Sequence, residues 1–87
     1  MGAYELELMP EALEDLGGLD PPVAQRVLDK LRWLAQNLDR LTPQPLRGEW
    51  RGVYRLRIGA YRAFYTVDHA DRRITVHLVG HRREVYR

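Results

Sequence analysis

A chain of 87 residues, 45% hydrophobic and 30% charged with eight aromatics, can bury one modest core but not two, and it is too apolar to be disordered. It has no cysteine, which excludes a disulfide framework and a thiolate metal site. No apolar run approaches the roughly 20 residues of a membrane span, and the N-terminus lacks a basic-then-apolar leader, so the expectation is a cytoplasmic protein without a membrane partner.

The net charge of +2 hides a segregation. Residues 1–45 carry four basic and eight acidic side chains, whereas residues 46–87 carry ten arginines and four acids. Such a split points to a polyanion-binding half on an acidic scaffold. The competing reading is a solvated face with a site for an acidic partner. Thirteen of the fourteen basic residues are arginine, which suits bidentate phosphate binding.

In chain order, Tyr4, Leu6 and Leu8 alternate with Glu5 and Glu7, the pattern of a half-buried strand. Pro10 opens a short helix with Glu11, Glu14 and Asp15 near its positive end, stopped at Gly17-Gly18. A helix of about 20 residues follows, with Asp20 as N-cap and Pro21 in its first turn. Val23, Val27, Leu31, Leu34, Leu38 and Leu41 form its apolar stripe, and Thr42-Pro43-Gln44-Pro45 ends it. The period then falls to two. Strands are predicted over Val53–Ile58, Tyr61–Val67 and Arg73–Val79, joined by a tight turn at Gly59 and by residues 68–72. Strand, two helices and three antiparallel strands predict a single α+β domain over residues 1–87, with the helix hairpin on one face of a small curved sheet.

Alternation assigns the faces. Leu56 and Ile58, then Ala63, Tyr65 and Val67, then Ile74, Val76 and Leu78 should point to the core. Arg55, Arg57 and Arg62 then share the opposite face, with Phe64 or Tyr54 as stacking surfaces and His77 and Val79 on the same side. An arginine-rich sheet face interleaved with aromatics suits single-stranded RNA; ion pairs or an acidic protein partner are the alternative.

His81, Arg82, Arg83 and Tyr86 follow the last strand, where a short tail would bring them to the edge of that face. Together these groups suit phosphodiester cleavage, in which a 2′-OH attacks the neighbouring phosphate and guanidiniums stabilise the added charge. Arginine is a poor base, tyrosine needs its pKa lowered, and only His81 has an ordinary pKa in the useful range. His69, His77 and His81 have no metal-site spacing, and no cofactor or small-molecule cofactor motif is present. Trp33 lies off the helix stripe and Trp50 just ahead of the first sheet strand; both are expected to wrap over the core, with an exposed anchor for a partner as the alternative.

The run LRGEWRGVYRLRIGAYRAFYTV, followed by ITVHLVGHRREVY, resembles the RelE/ParE superfamily of toxins from type II toxin–antitoxin modules. The leading strand, PEALEDLGGL and the long helix match its layout too, so the resemblance spans essentially the whole chain. It implies a RelE-like fold and, in the closer RelE branch, a metal-independent endoribonuclease that cuts mRNA in the ribosomal A site and inhibits translation. Carried over on the matching motif, Arg55, Arg62, Arg82 and Tyr86 are the expected catalytic residues, and Arg57, His81 and Arg83 the expected RNA- and phosphate-binding ones. The implied partners are a RelB-like antitoxin protein, the ribosome and mRNA. A ParE-like DNA gyrase inhibitor, or an inactive relative serving in protein interaction, are the alternatives. Better-characterised bacterial members carry two lysines on the first hairpin strand, where this chain has Val53 and Arg55, so a group with a shiftable pKa is replaced by fixed charge.

Overall fold

A computed structural model describes residues 3–46 and 51–85, with no account of the side chains of residues 84 and 85. Trp50 and Tyr86 lie outside the described residues. Strand β1 spans Glu5–Leu8, helix α1 Pro10–Gly17, and helix α2 Pro21–Asn37, extended by a 3-10 turn over Leu38–Arg40. Strand β2 is the dipeptide Gln44–Pro45. Strands β3 (Tyr54–Ile58), β4 (Tyr61–Asp68) and β5 (Arg73–His81) follow, and one helical turn, α3 (Arg82–Val85), replaces the expected short tail.

These form one mixed five-stranded sheet in the order β1-β5-β4-β3-β2. First and last strands are neighbours and run parallel, while the other pairs are antiparallel. The α2 stripe supplies Val27, Leu31, Leu34 and Leu38, packed on Ile58, Ala63, Tyr65, Ile74, Val76 and Val79. Truncating a fully buried member such as Leu31 to alanine should cost about 2–5 kcal/mol. Tyr4 ties strand to helix, its amide donating to the Ala35 carbonyl at 2.8 Å.

Asp20 occupies the N-cap position of α2, but its carboxylate makes no cap hydrogen bond. Pro22, at the second helical position, has no amide to offer, which leaves only the Val23 amide as a donor for such a cap. Only the Asp20 carbonyl engages, accepting from the Ala24 amide at 2.9 Å.

The β5 alternation departs from the sequence reading. Tyr65 pairs with Val76, yet Phe64 pairs with Leu78, so His77 is an extra residue in β5. Such a bulge turns two successive side chains to one side and reverses the phase beyond it. Val79 therefore joins the core and Leu78 lies opposite Phe64 on the other face, the reverse of the expected assignment. His77 keeps to the outer face, where its Nε2 and the Thr66 hydroxyl are 2.8 Å apart.

The expected tight turn between β3 and β4 is present. Ile58 and Tyr61 are paired, and Gly59 supplies the positive φ of 60° that the two-residue connection requires.

Candidate nucleic-acid site

Facing residues of an antiparallel pair project to the same side. Arg57 stands opposite Arg62, Arg55 opposite Phe64, and Arg62 in turn opposite Gly80. The three hairpin arginines thus belong to the face away from the helices, as the alternation predicts. Tyr54 does not join them. It stands opposite Tyr65 with ring centroids 5.7 Å apart and packs against the core. Phe64 is on the arginine face but only 3% exposed, so it is a floor and not an open stacking platform.

Arg62 is buried, at 7% exposure. Its Nη1 donates to the Gly59 carbonyl at 2.9 Å and to the Tyr61 carbonyl at 2.8 Å. The tight turn makes this seat, because it brings two carbonyls to one side of the strand start. Nε and Nη2 make no hydrogen bond to the described residues, so the guanidinium is held by one corner with its outer edge unspent. That edge has the two-donor spacing that grips a phosphate or carboxylate.

The same turn gathers the end of β5. The Arg82 amide donates to the Ala60 carbonyl at 2.8 Å, and the His81 ring packs edge-on against Tyr61 with centroids 5.5 Å apart. The Arg82 side chain is exposed at the start of α3. Residues 59–61 are therefore a hub that carries Arg62 and anchors Arg82, but His81, paired with Tyr61, projects to the helix side of the sheet and not to the arginine face expected of it. Arg57 faces Arg62 across the hairpin, and Arg55 lies two residues further along β3, about 7 Å away.

His81 has a further constraint. Its Nδ1 accepts the Arg83 amide at 3.2 Å, capping the turn that begins α3. In that arrangement the neutral ring carries its proton on Nε2 and can donate there but not accept. Arg83 itself is exposed.

Arg55 is steadied from β2: its Nε donates to the Gln44 side-chain carbonyl at 3.2 Å across a register pair. Gln44 escaped the sequence reading because Pro-Gln-Pro reads as a connection. Its one usable signal is that prolines in sheets concentrate on edge strands.

The charge segregation is partly folded back on itself. Arg72 pairs with Asp39 at 2.9 Å and Arg73 with Glu5 at 3.3 Å, both at the opposite end of β5. These two arginines serve the scaffold, a use that neither reading of the charge split anticipates. The groups with shifted pKa values lie away from the hub as well. The Arg72 hydrogen bond and charge hold Asp39 below the ordinary carboxylate value, and burial, with Tyr54 beside it, pushes the Tyr65 hydroxyl up to about 12. Trp33, expected over the core, is 39% exposed, with the Lys30 ammonium 3.8 Å from its ring centroid. Among the described residues no three His, Asp or Glu side chains are grouped to hold a metal ion, and no helix among them is long and apolar enough to cross a membrane.

A helix pair on a small mixed sheet, with arginines gathered on the other face, is the RelE-like toxin architecture. A chain of the toxin–antitoxin complex RelBE2 from Mycobacterium tuberculosis is similar to it with a TM-score of 0.85 and 28% identity over 93% of each chain. A mutant of Escherichia coli toxin RelE in the free state is similar with a TM-score of 0.74 and 30% identity, covering 97% of this chain and 90% of that one. The archaeal RelE–RelB complex from Pyrococcus horikoshii shares the fold, with a TM-score of 0.74 at 23% identity over 94% of this chain and 98% of that one. No curated protein matches the chain. The family described as the ParE toxin of type II toxin–antitoxin systems, parDE, matches residues 6–86. The chain belongs to that family, and so to the RelE/ParE superfamily of type II toxins.

Proposed function

We propose that this toxin is a ribosome-dependent mRNA endoribonuclease of the RelE type, acting in the A site to inhibit translation in the cytoplasm. The observation that carries the reading is the seat of Arg62, a buried guanidinium fixed by two turn carbonyls with its outer edge unspent. A residue built only to ion-pair or to dissolve the surface needs no such anchoring.

In this mechanism a 2′-OH attacks the adjacent phosphorus, the P–O5′ bond breaks as the 5′-oxygen takes up a proton from water, and a 2′,3′-cyclic phosphate results. Arg62 grips a non-bridging oxygen, with Arg55 and Arg82 completing the stabilisation of the dianionic transition state. Arg57 and Arg83 bind flanking phosphates. His81, paired with Tyr61 on the helix side of the sheet, acts by shaping the start of α3, where its Nδ1 accepts the Arg83 amide. The proton of the 2′-OH is assigned to Tyr86, on the resemblance alone. A site without a strong acid–base pair depends on the ribosome to align the codon, and should be slow on free RNA. An antitoxin partner is part of the same reading, supported by relatives solved as toxin–antitoxin complexes. An acidic segment of it would neutralise the arginine face.

The family model favours a second reading, a gyrase-poisoning protein with no chemistry of its own. A translating extract separates the two. Codon-phased mRNA 5′ ends that vanish in Arg62→Ala support the ribonuclease. Intact mRNA together with failed DNA supercoiling by gyrase replaces it with the second reading.

A further inference from the structure

We propose that Asp15 is a positioning residue of this site, holding the end of β5 in place from α1; its catalytic consequence rests on the ribonuclease reading. Strand β1 covers β5 only as far as Val76, where the Met9 amide donates to the Val76 carbonyl at 2.9 Å. Strand β5 continues for five more residues without that neighbour. The bulge at His77 also shifts its phase, so the Val79 amide is turned out of the β4 ladder. There the Asp15 carboxylate takes the place of a missing strand, Oδ2 accepting the Val79 amide at 3.0 Å.

Val79 is 3% exposed, so its amide needs this acceptor. Asp15 makes no ion pair with any described residue, so a carboxylate in an arginine-rich molecule is spent on a neutral amide. The residues just past Val79 are the ones that matter to the site. Gly80 faces Arg62, His81 packs on Tyr61, and the Arg82 amide reaches Ala60. Asp15, His81 and Tyr61 line one cleft of about 450 Å³ beside the hub. Releasing Val79 frees the strand end that sets the distance between Arg62 and Arg82.

The test compares Asp15→Asn, which keeps a side-chain acceptor, with Asp15→Ala, which removes it, in the full chain. Asp15→Glu stands in if the alanine variant does not fold, since it keeps the charge and displaces the acceptor. Three quantities are read: Val79 amide exchange, the Arg62 Nε–H and Gly80 resonances, and single-turnover cleavage of ribosome-bound mRNA beside ribosome affinity. Asp15→Ala should speed Val79 exchange at least tenfold, shift the Arg62 and Gly80 signals, and slow cleavage about tenfold at unchanged ribosome affinity. Asp15→Asn should stay within about threefold of the parent. Unshifted Arg62 and Gly80 signals overturn the proposal, as does wild-type cleavage by the alanine variant or cleavage that falls only with the folded fraction. If the parent protein cuts no mRNA, the ribonuclease reading fails, and the Arg62 and Gly80 signals alone decide the positioning.

Discussion

Gly80 stands directly opposite Arg62 in the β4–β5 ladder, on the face away from the helices. A side chain at position 80 would lie about 5 Å from the Arg62 Cβ. Gly80→Val should therefore crowd the guanidinium out of its seat. Gly80 is buried, so the added methyls overpack the site and the thermal midpoint should fall as well, despite the better strand propensity of valine. The expected outcome is at least a tenfold loss of mRNA cleavage per folded molecule, the folded fraction being measured beside it. Undiminished cleavage would mean that Arg62 does not depend on a glycine at position 80.

Arg62→Lys separates charge from geometry. A lysine keeps the charge but cannot hold two turn carbonyls while offering a two-donor edge to phosphate. Cleavage of ribosome-bound mRNA should fall about a hundredfold, close to the loss in Arg62→Ala. If lysine retains most of the rate, the site needs only a positive charge there.

The helix stripe and the strand alternation were legible because both are local periodicities that burial enforces. Val27, Leu31, Leu34 and Leu38 fall on the core side as spacing requires, and so do Ile58, Ala63 and Tyr65. Alternation also gave Arg55, Arg57 and Arg62 a common face. It could not give depth: whether Arg62 is solvated or seated depends on the turn carbonyls beside it. Nor could it reveal the bulge at His77, because an inserted residue is defined by the partner strand and not by its own run. That one insertion reversed Leu78 and Val79 and created the open amide that Asp15 fills. Strand β2 was hidden because two residues have no period.

The His81 cap leads to a third expectation. Asparagine at 81 can accept the Arg83 amide as the imidazole does, whereas alanine cannot. If His81 acts mainly by shaping the start of α3, His81→Asn should keep at least a third of the cleavage rate and His81→Ala should lose about tenfold. Equal losses in both would show instead that the imidazole Nε2 contacts the substrate directly.

At acid pH the sensitive pair is Asp39 with Arg72, far from the hub. The Arg72 hydrogen bond, then its charge, lowers the Asp39 pKa below its ordinary 3.8, so the folded state binds this proton less readily than the unfolded one. The stabilisation is present above about pH 4 and is lost as pH falls through the folded value. Arg72 also sits at φ 51°, in the left-handed region, beneath its contact with the Tyr4 ring at 4.2 Å. In Asp39→Asn the thermal midpoint should fall less steeply than in the parent on acidification below pH 4. Identical slopes would show that the pair does not contribute.

Tyr65 governs the alkaline side. Its hydroxyl is raised from 10.0 to about 12, first by burial and then by Tyr54, so the folded protein holds this proton where the unfolded chain releases it. The raised pKa means that the stabilisation is complete below about pH 10 and is lost as pH climbs toward 12. A rise of that size is worth roughly 2–3 kcal/mol across the window. Phenylalanine preserves the buried ring, which is 1% exposed, and removes the titration. The difference in unfolding free energy between the parent and Tyr65→Phe should therefore be flat up to pH 10 and then drift in favour of the variant. Denaturant titrations at pH 8, 10 and 11.5 measure it, and a constant difference would place the tyrosine hydroxyl in contact with water.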